Sequence, residues 1–178
     1  MATVDHAAES MAASRTGATA ALWLILRVGL IAGTLDISDA LIFNGVRGVA
    51  PAMVFRYIAS GLIGVKAAVE LGAAAVALGV VLHYLIALSW TAIFYAASRK
   101  LAILVKRPAL CGLLYGGVVY VVMNYVVVPL SRVPPRTRPP AAISLINGVL
   151  ALLLCIGLTI AMLIARATRG ERADSSAA

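Results

Sequence analysis

Charge is what this sequence has least of: Asp, Glu, Lys and Arg make up 12% of its 178 residues. A soluble domain carries about twice that share, so this chain cannot cover a water-exposed surface with polar groups. Its 62% apolar content equally excludes a disordered chain. Cysteine is limited to Cys111 and Cys155, both inside apolar stretches, and no CxxC or Cys/His ligand spacing exists. Disulfide-stapled folds and thiol-based metal sites are thereby excluded, and a buried thiol behaves as a small hydrophobe. Histidine occurs twice, as His6 in a polar N-terminal stretch and as His83, so no pair can hold a haem from both sides. HExxH, Walker and GxSxG motifs are all absent. With a mean hydropathy of +1.00, the class that remains is an integral membrane protein.

What is present is a series of long uncharged runs. Residues 71–98, 108–131 and 139–165 contain 28, 24 and 27 residues without a single Asp, Glu, Lys or Arg. Each exceeds the roughly 20 residues that a helix needs to cross a ~30 Å hydrocarbon core. None alternates with the period of two that a membrane barrel strand requires. Helices are expected over 72–97, 109–130 and 143–165. A further span over 20–43 carries Arg27 near its start and Asp36 and Asp39 near its end, where charges can snorkel or pair. Between the first two spans, Pro51 can open a helix. The run 52–65 is too short to cross, which predicts an interfacial or re-entrant helix over about 51–65, broken near Ser60, Gly61 and Gly64.

The fold class expected is therefore all-α: an integral membrane four-helix bundle over 20–165 with a short interfacial or re-entrant helix between helices one and two. Residues 1–19 read as a flexible tail without the features of a signal peptide, and 166–178 as a polar C-terminal tail. The segment 131–140 holds four prolines and should be stiff and extended. Four spans place both termini on one side. Eight Lys and Arg then fall on that side, Arg99, Lys100, Lys106 and Arg107 forming the densest cluster, against six on the other. This favours termini on the cytoplasmic side. The net charge of +8 is accounted for by topology and attraction to anionic lipid, not by nucleic-acid binding. Trp23, Phe94 and Tyr95 share the cytoplasmic level, as an aromatic belt would.

Small residues recur four apart: Gly29 and Gly33, Gly112 and Gly116, then Gly157, Ala161 and Ala165. Helix two repeats the theme along Gly72, Val76, Gly79, His83, Ala87 and Trp90. In lipid, helices associate through close backbone approach, so this spacing predicts packing within the bundle, or else a homodimer face. The polar residues inside the spans are fewer. Asp36 and Asp39 share a face of helix one, and His83 lies near the middle of helix two. Asp39, Asn124 and Asn147 fall within ~6–9 Å of the same membrane face, and Tyr120 shares the side of Asn124. One polar cluster of Asp36, Asp39, His83, Tyr120, Asn124 and Asn147, with His83 at its floor, is geometrically allowed. Each member also has a structural reading as an interhelical hydrogen-bonder or a cap. The pair Asp36-x-x-Asp39 is similar to the paired acids of magnesium-dependent membrane phosphotransferases, but the Asp-Gly start and the second acidic pair are missing.

The patterns IAGTLD at 31–36, RYIASGLIG at 56–64, LGVVLHYLIALSW at 78–90 and YGGVVYVVMNYVVVPLS at 115–131 resemble a set of small bacterial inner-membrane proteins. These four-helix proteins are similar to the YagU-type inner-membrane family, and the resemblance covers about residues 22–165. It implies a bacterial inner-membrane location and a four-helix bundle, and it hands over no catalytic residue or substrate. The function expected is that of a non-enzymatic accessory or structural membrane protein with no cofactor, metal or catalytic residue. Its partners are the lipid bilayer and, beyond it, a homo-oligomer or other membrane subunits. The alternative is a small proton-coupled transporter or channel component, acting as an oligomer, with Asp36, Asp39 and His83 lining the path. A third reading is a membrane-embedded enzyme using those three residues around a metal.

Overall fold

A computed structural model describes the backbone of residues 2–134 and 140–177, and the side chains of 17–134 and 140–170. All regular structure among the described residues is helical. Helix α1 runs from Ala2 to Gly45, α2 from Pro51 to Ile63, α3 from Val65 to Glu70 and α4 from Ala73 to Lys100. After the short α5 (Ala102–Lys106), α6 (Pro108–Val122) passes through a π-helical turn at Met123–Val127 into α7 (Val128–Leu130). Helix α8 (Ala142–Ala151) passes through a second π turn, Leu152–Leu158, into α9 (Thr159–Ala177). Four stretches are long and apolar enough to cross a membrane: Gly17–Gly45, Ala73–Lys100, Pro108–Leu130 and Ala142–Gly170. By length and composition the chain is a multi-pass membrane protein with an all-α four-helix bundle.

At both polar ends the helical backbone extends beyond the spans. Residues 1–19 continue α1 as helical backbone from Ala2, and the C-terminal tail continues α9 as far as Ala177. Both stretches are rich in alanine, the best helix former, which outweighs their polarity. The side chains of His6, Arg15 and Arg172 lie outside the described residues, as do Arg136, Arg138 and most of the proline-rich segment. Helix α2 begins at Pro51, whose missing N–H falls in the first turn, where no intrahelical partner exists. It ends where Gly64 takes φ +83°, and Gly72 at φ +54° makes the turn into α4. Only glycine adopts this left-handed backbone without strain.

The spans pack through their small residues. Helix α1 lies between α4 on one side and the fourth span on the other, α6 lies along the fourth span, and α2 lies against α4. At Gly116 an added Cβ would come within 2.5 Å of the Leu152 carbonyl oxygen, and at Gly112 within 2.8 Å of that of Gly157. Gly79 gives the same close approach to the Phe55 backbone of α2, and Gly29 and Gly33 to Leu88 and Ala87 of α4. Ala161 is fully buried in this seam. Between membrane helices there is no solvent to drive association, so this backbone-level contact carries the packing.

The buried stripe of α4 is Ala75, Gly79, His83, Ala87, Thr91, Phe94 and Ser98. It departs from the expected stripe at both ends, with Ala75 in place of Val76 and Thr91 in place of Trp90. Phe94, assigned by sequence to an aromatic belt, is instead only 1% exposed. It packs edge-on to Tyr115 at 5.0 Å, while the Tyr115 hydroxyl donates to the Trp90 carbonyl at 2.6 Å. Spans two and three therefore meet around Trp90, Phe94 and Tyr115. Towards the opposite end of span three α2 lies beside them, tied to the chain just beyond that span by the Arg132 N–H donating to the Gly61 carbonyl at 2.9 Å.

Candidate functional site

Asp36 and Asp39 lie nearly one turn apart on α1, in its last third. Across from them, Asn147 of α8 donates from Nδ2 to Asp39 Oδ2 at 2.8 Å, joining the first and fourth spans. A cleft of about 300 Å³ surrounds this pair, lined by Asp36, Asp39, Asn44, Arg47, Ser144 and Asn147 among others. The Asn44 amide donates back to the Ala40 carbonyl of its own helix at 2.8 Å. The Arg47 guanidinium sits over the Phe43 ring, 5.0 Å from its centroid, which holds this cation at the mouth of the cleft.

His83 is buried, with 9% of its surface exposed. Its Nε2 lies 2.8 Å from the Gly33 carbonyl oxygen. A carbonyl only accepts, so Nε2 carries the proton of this bond. The next residue makes a parallel tie: the Tyr84 hydroxyl and Thr34 Oγ1 share a hydrogen bond of 3.0 Å. Residues 83 and 84 thus grip 33 and 34, one turn below Asp36. His83 is nevertheless not among the residues lining the acidic cleft; it lines a separate apolar cavity between α2, α4 and the end of span three.

The structure brings together Asp36, Asp39 and Asn147, and places His83 one layer beneath them. Tyr120 borders the group from span three: a Cβ added at Gly148, itself in the cleft wall, would lie 3.8 Å from the Tyr120 ring. Asn124 is not drawn in. Its Nδ2 donates to the Tyr120 carbonyl of its own helix at 3.0 Å, within the π turn that begins at Met123. Equal depth in the membrane leaves position around the helix axis open, and Asn124 does not line the cleft.

Asn44, Arg47 and Ser144 belong to the cleft and were not singled out from sequence. Ser144 had a readable signal, since it precedes Asn147 by three residues and therefore shares its face of α8. Arg47 gave none, because it follows the end of α1 at Gly45 in a turn closed by Gly48. Among the described residues no three His, Cys, Asp or Glu side chains converge as a metal ion would require. Chemically the cleft offers two carboxylates, two amides, a hydroxyl and the Arg47 guanidinium, a set able to exchange hydrogen bonds. No protein-family model, curated protein or solved structure matches this chain.

Proposed function

We propose that this chain is a non-enzymatic accessory or structural protein of a bacterial inner membrane, with both termini in the cytoplasm. The observation that carries the reading is how the intramembrane polar groups are engaged. Asn147 with Asp39, His83 with Gly33, Tyr84 with Thr34 and Tyr115 with Trp90 each connect two different spans. Asn124 is satisfied on its own helix. These are the groups that a transport path or a catalytic centre would have to keep available, and here they act as ties. The bacterial inner membrane is supported by the resemblance to YagU-type proteins, and the orientation by the cluster Arg99, Lys100, Lys106 and Arg107. Arg169 of α9 donates from Nη2 to the Val105 carbonyl at 2.7 Å, joining the C-terminal helix to that basic connection. The bilayer is the first partner on this reading, and a second copy or other membrane subunits are the next.

The reading is tested by separating stability from function in cells. His83→Ala and Asp39→Asn should lower the amount of folded protein, and any phenotype should scale with that amount and recover on overexpression. A phenotype that persists at full protein level would reject it. A reporter fused to the C-terminus should be active only in the cytoplasm; periplasmic activity would overturn the orientation.

One observation favours a second reading. Asp39 and Asp36 line an open cleft, and His83 meets the same helix at Gly33, one turn further into the bundle. A small proton-coupled transporter or channel component, acting as an oligomer, would use such an arrangement. It would show pH-dependent flux in liposomes that Asp39→Asn abolishes while the protein remains folded.

A further inference from the structure

The apolar cavity beside His83 lies outside the polar cleft and plays no part in the reading above. Its volume is about 310 Å³, and it is a half-open groove bordered by α2, α4 and the end of span three. A dry engineered cavity of about half that size binds benzene, and ligand sites begin at about 300 Å³. The wall is apolar apart from Tyr57, His83 and Ser131. Of these, His83 is engaged with Gly33, and the Ser131 hydroxyl donates to the Val128 carbonyl at 2.7 Å. Water needs two to four polar partners to be held, so an aliphatic chain fits this wall better than solvent.

Depth and charge narrow the occupant. The cavity runs from Met123, inside span three, to Ser131 and Val133, just past the span's end at Leu130. Eight residues of helix separate Met123 from Ser131, about 12 Å along the membrane normal. The deep end therefore lies among lipid tails, and the shallow end lies at headgroup level. Arg132 stands at that shallow end, exposed between two residues that line the cavity. Among the described residues no acid pairs with it; the ion pair on this side joins Lys66 to Glu70. Arg56 adds a second cation next to the cavity-lining Tyr57, held by its Nε donating to the Gly72 carbonyl at 3.3 Å.

From this geometry we infer a site for one anionic phospholipid, with an acyl chain in the cavity and the phosphate at Arg132. Basic residues at headgroup level beside an interhelical cavity select anionic lipid, each contributing about fivefold in affinity. The helix α2 forms one wall of this site, which gives the short helix between the first two spans a role beyond filling space.

The test uses the full chain, purified in mild detergent, delipidated and titrated with phosphatidylglycerol or phosphatidylcholine of matched chain length. Native mass spectrometry reads the bound lipid. The expected result is one phosphatidylglycerol per chain, bound at least about fivefold more tightly than phosphatidylcholine. Arg132→Gln, an exposed change that leaves the bundle intact, should weaken phosphatidylglycerol about fivefold and leave phosphatidylcholine unchanged. Ile86→Trp, which fills the deep end, should abolish binding of both. Equal affinity for the two lipids, an unchanged preference in Arg132→Gln, or equally tight binding of chainless glycerol phosphate would each overturn the proposal.

Discussion

Two adjacent glycines on α6 should respond in opposite ways to the same substitution. At Gly116 an added methyl would stand 2.5 Å from the Leu152 carbonyl oxygen and 2.6 Å from the Leu153 Cα. Both are backbone atoms of the fourth span, so no side chain can rotate away, and the helices must separate by most of an ångström. At Gly117, one residue on, nothing lies within 4 Å. Overpacking of this kind costs about 1–3 kcal/mol, roughly 5- to 150-fold in the folded-to-unfolded ratio. The Gly117→Ala change instead gains about 0.4–1 kcal/mol, because alanine restricts the unfolded chain and favours helix. Unfolding each variant in mixed micelles with increasing denaturant, followed by loss of tertiary signal, gives the comparison. Gly116→Ala should unfold well before the unmodified chain, and Gly117→Ala at or after it. Equal midpoints for the two variants would refute the contention that the seam between α6 and the fourth span is built on backbone contact.

Three further outcomes follow from single hydrogen bonds and are read by the same unfolding assay. Tyr115→Phe keeps the ring stacked on Phe94 and removes only the bond to the Trp90 carbonyl, so it should cost about 0.5–1.5 kcal/mol. His83→Ala removes both a bond and a buried ring and should cost more, about 2–4 kcal/mol, with His83→Asn recovering part of it. Asn124→Ala should stay within about 0.5 kcal/mol, since its bond lies within one helix and closes no contact between spans.

The spans were legible because membranes impose a severe rule: a run of some twenty uncharged residues has few other uses. The packing seam was legible too, since Gly112, Gly116 and Gly157 repeat at the spacing that brings one face of each helix together. The π turns at Met123–Val127 and Leu152–Leu158 were not legible, because one extra residue in a turn leaves composition and hydropathy unchanged. At the site, Asn124 bonds back to its own helix within the first π turn and does not line the cleft, while Asn147, ahead of the second π turn, meets Asp39. The place of α2 was equally hidden. Its length showed that it could not cross, but only the Gly79 contact and the Gly61–Arg132 hydrogen bond decide where it lies.

The most direct test of the claim that intramembrane polar residues here tie helices together is a double-mutant cycle on Asp39 and Asn147. Their side chains meet at 2.8 Å and join the first span to the fourth. Asp39→Ala, Asn147→Ala and the double variant are unfolded under one set of conditions. The expected coupling is favourable, about 0.6–1.7 kcal/mol, the range of hydrogen bonds between membrane helices. A coupling of zero, with both single variants as stable as the unmodified chain, would contradict the structural role and leave Asp39 free for other chemistry.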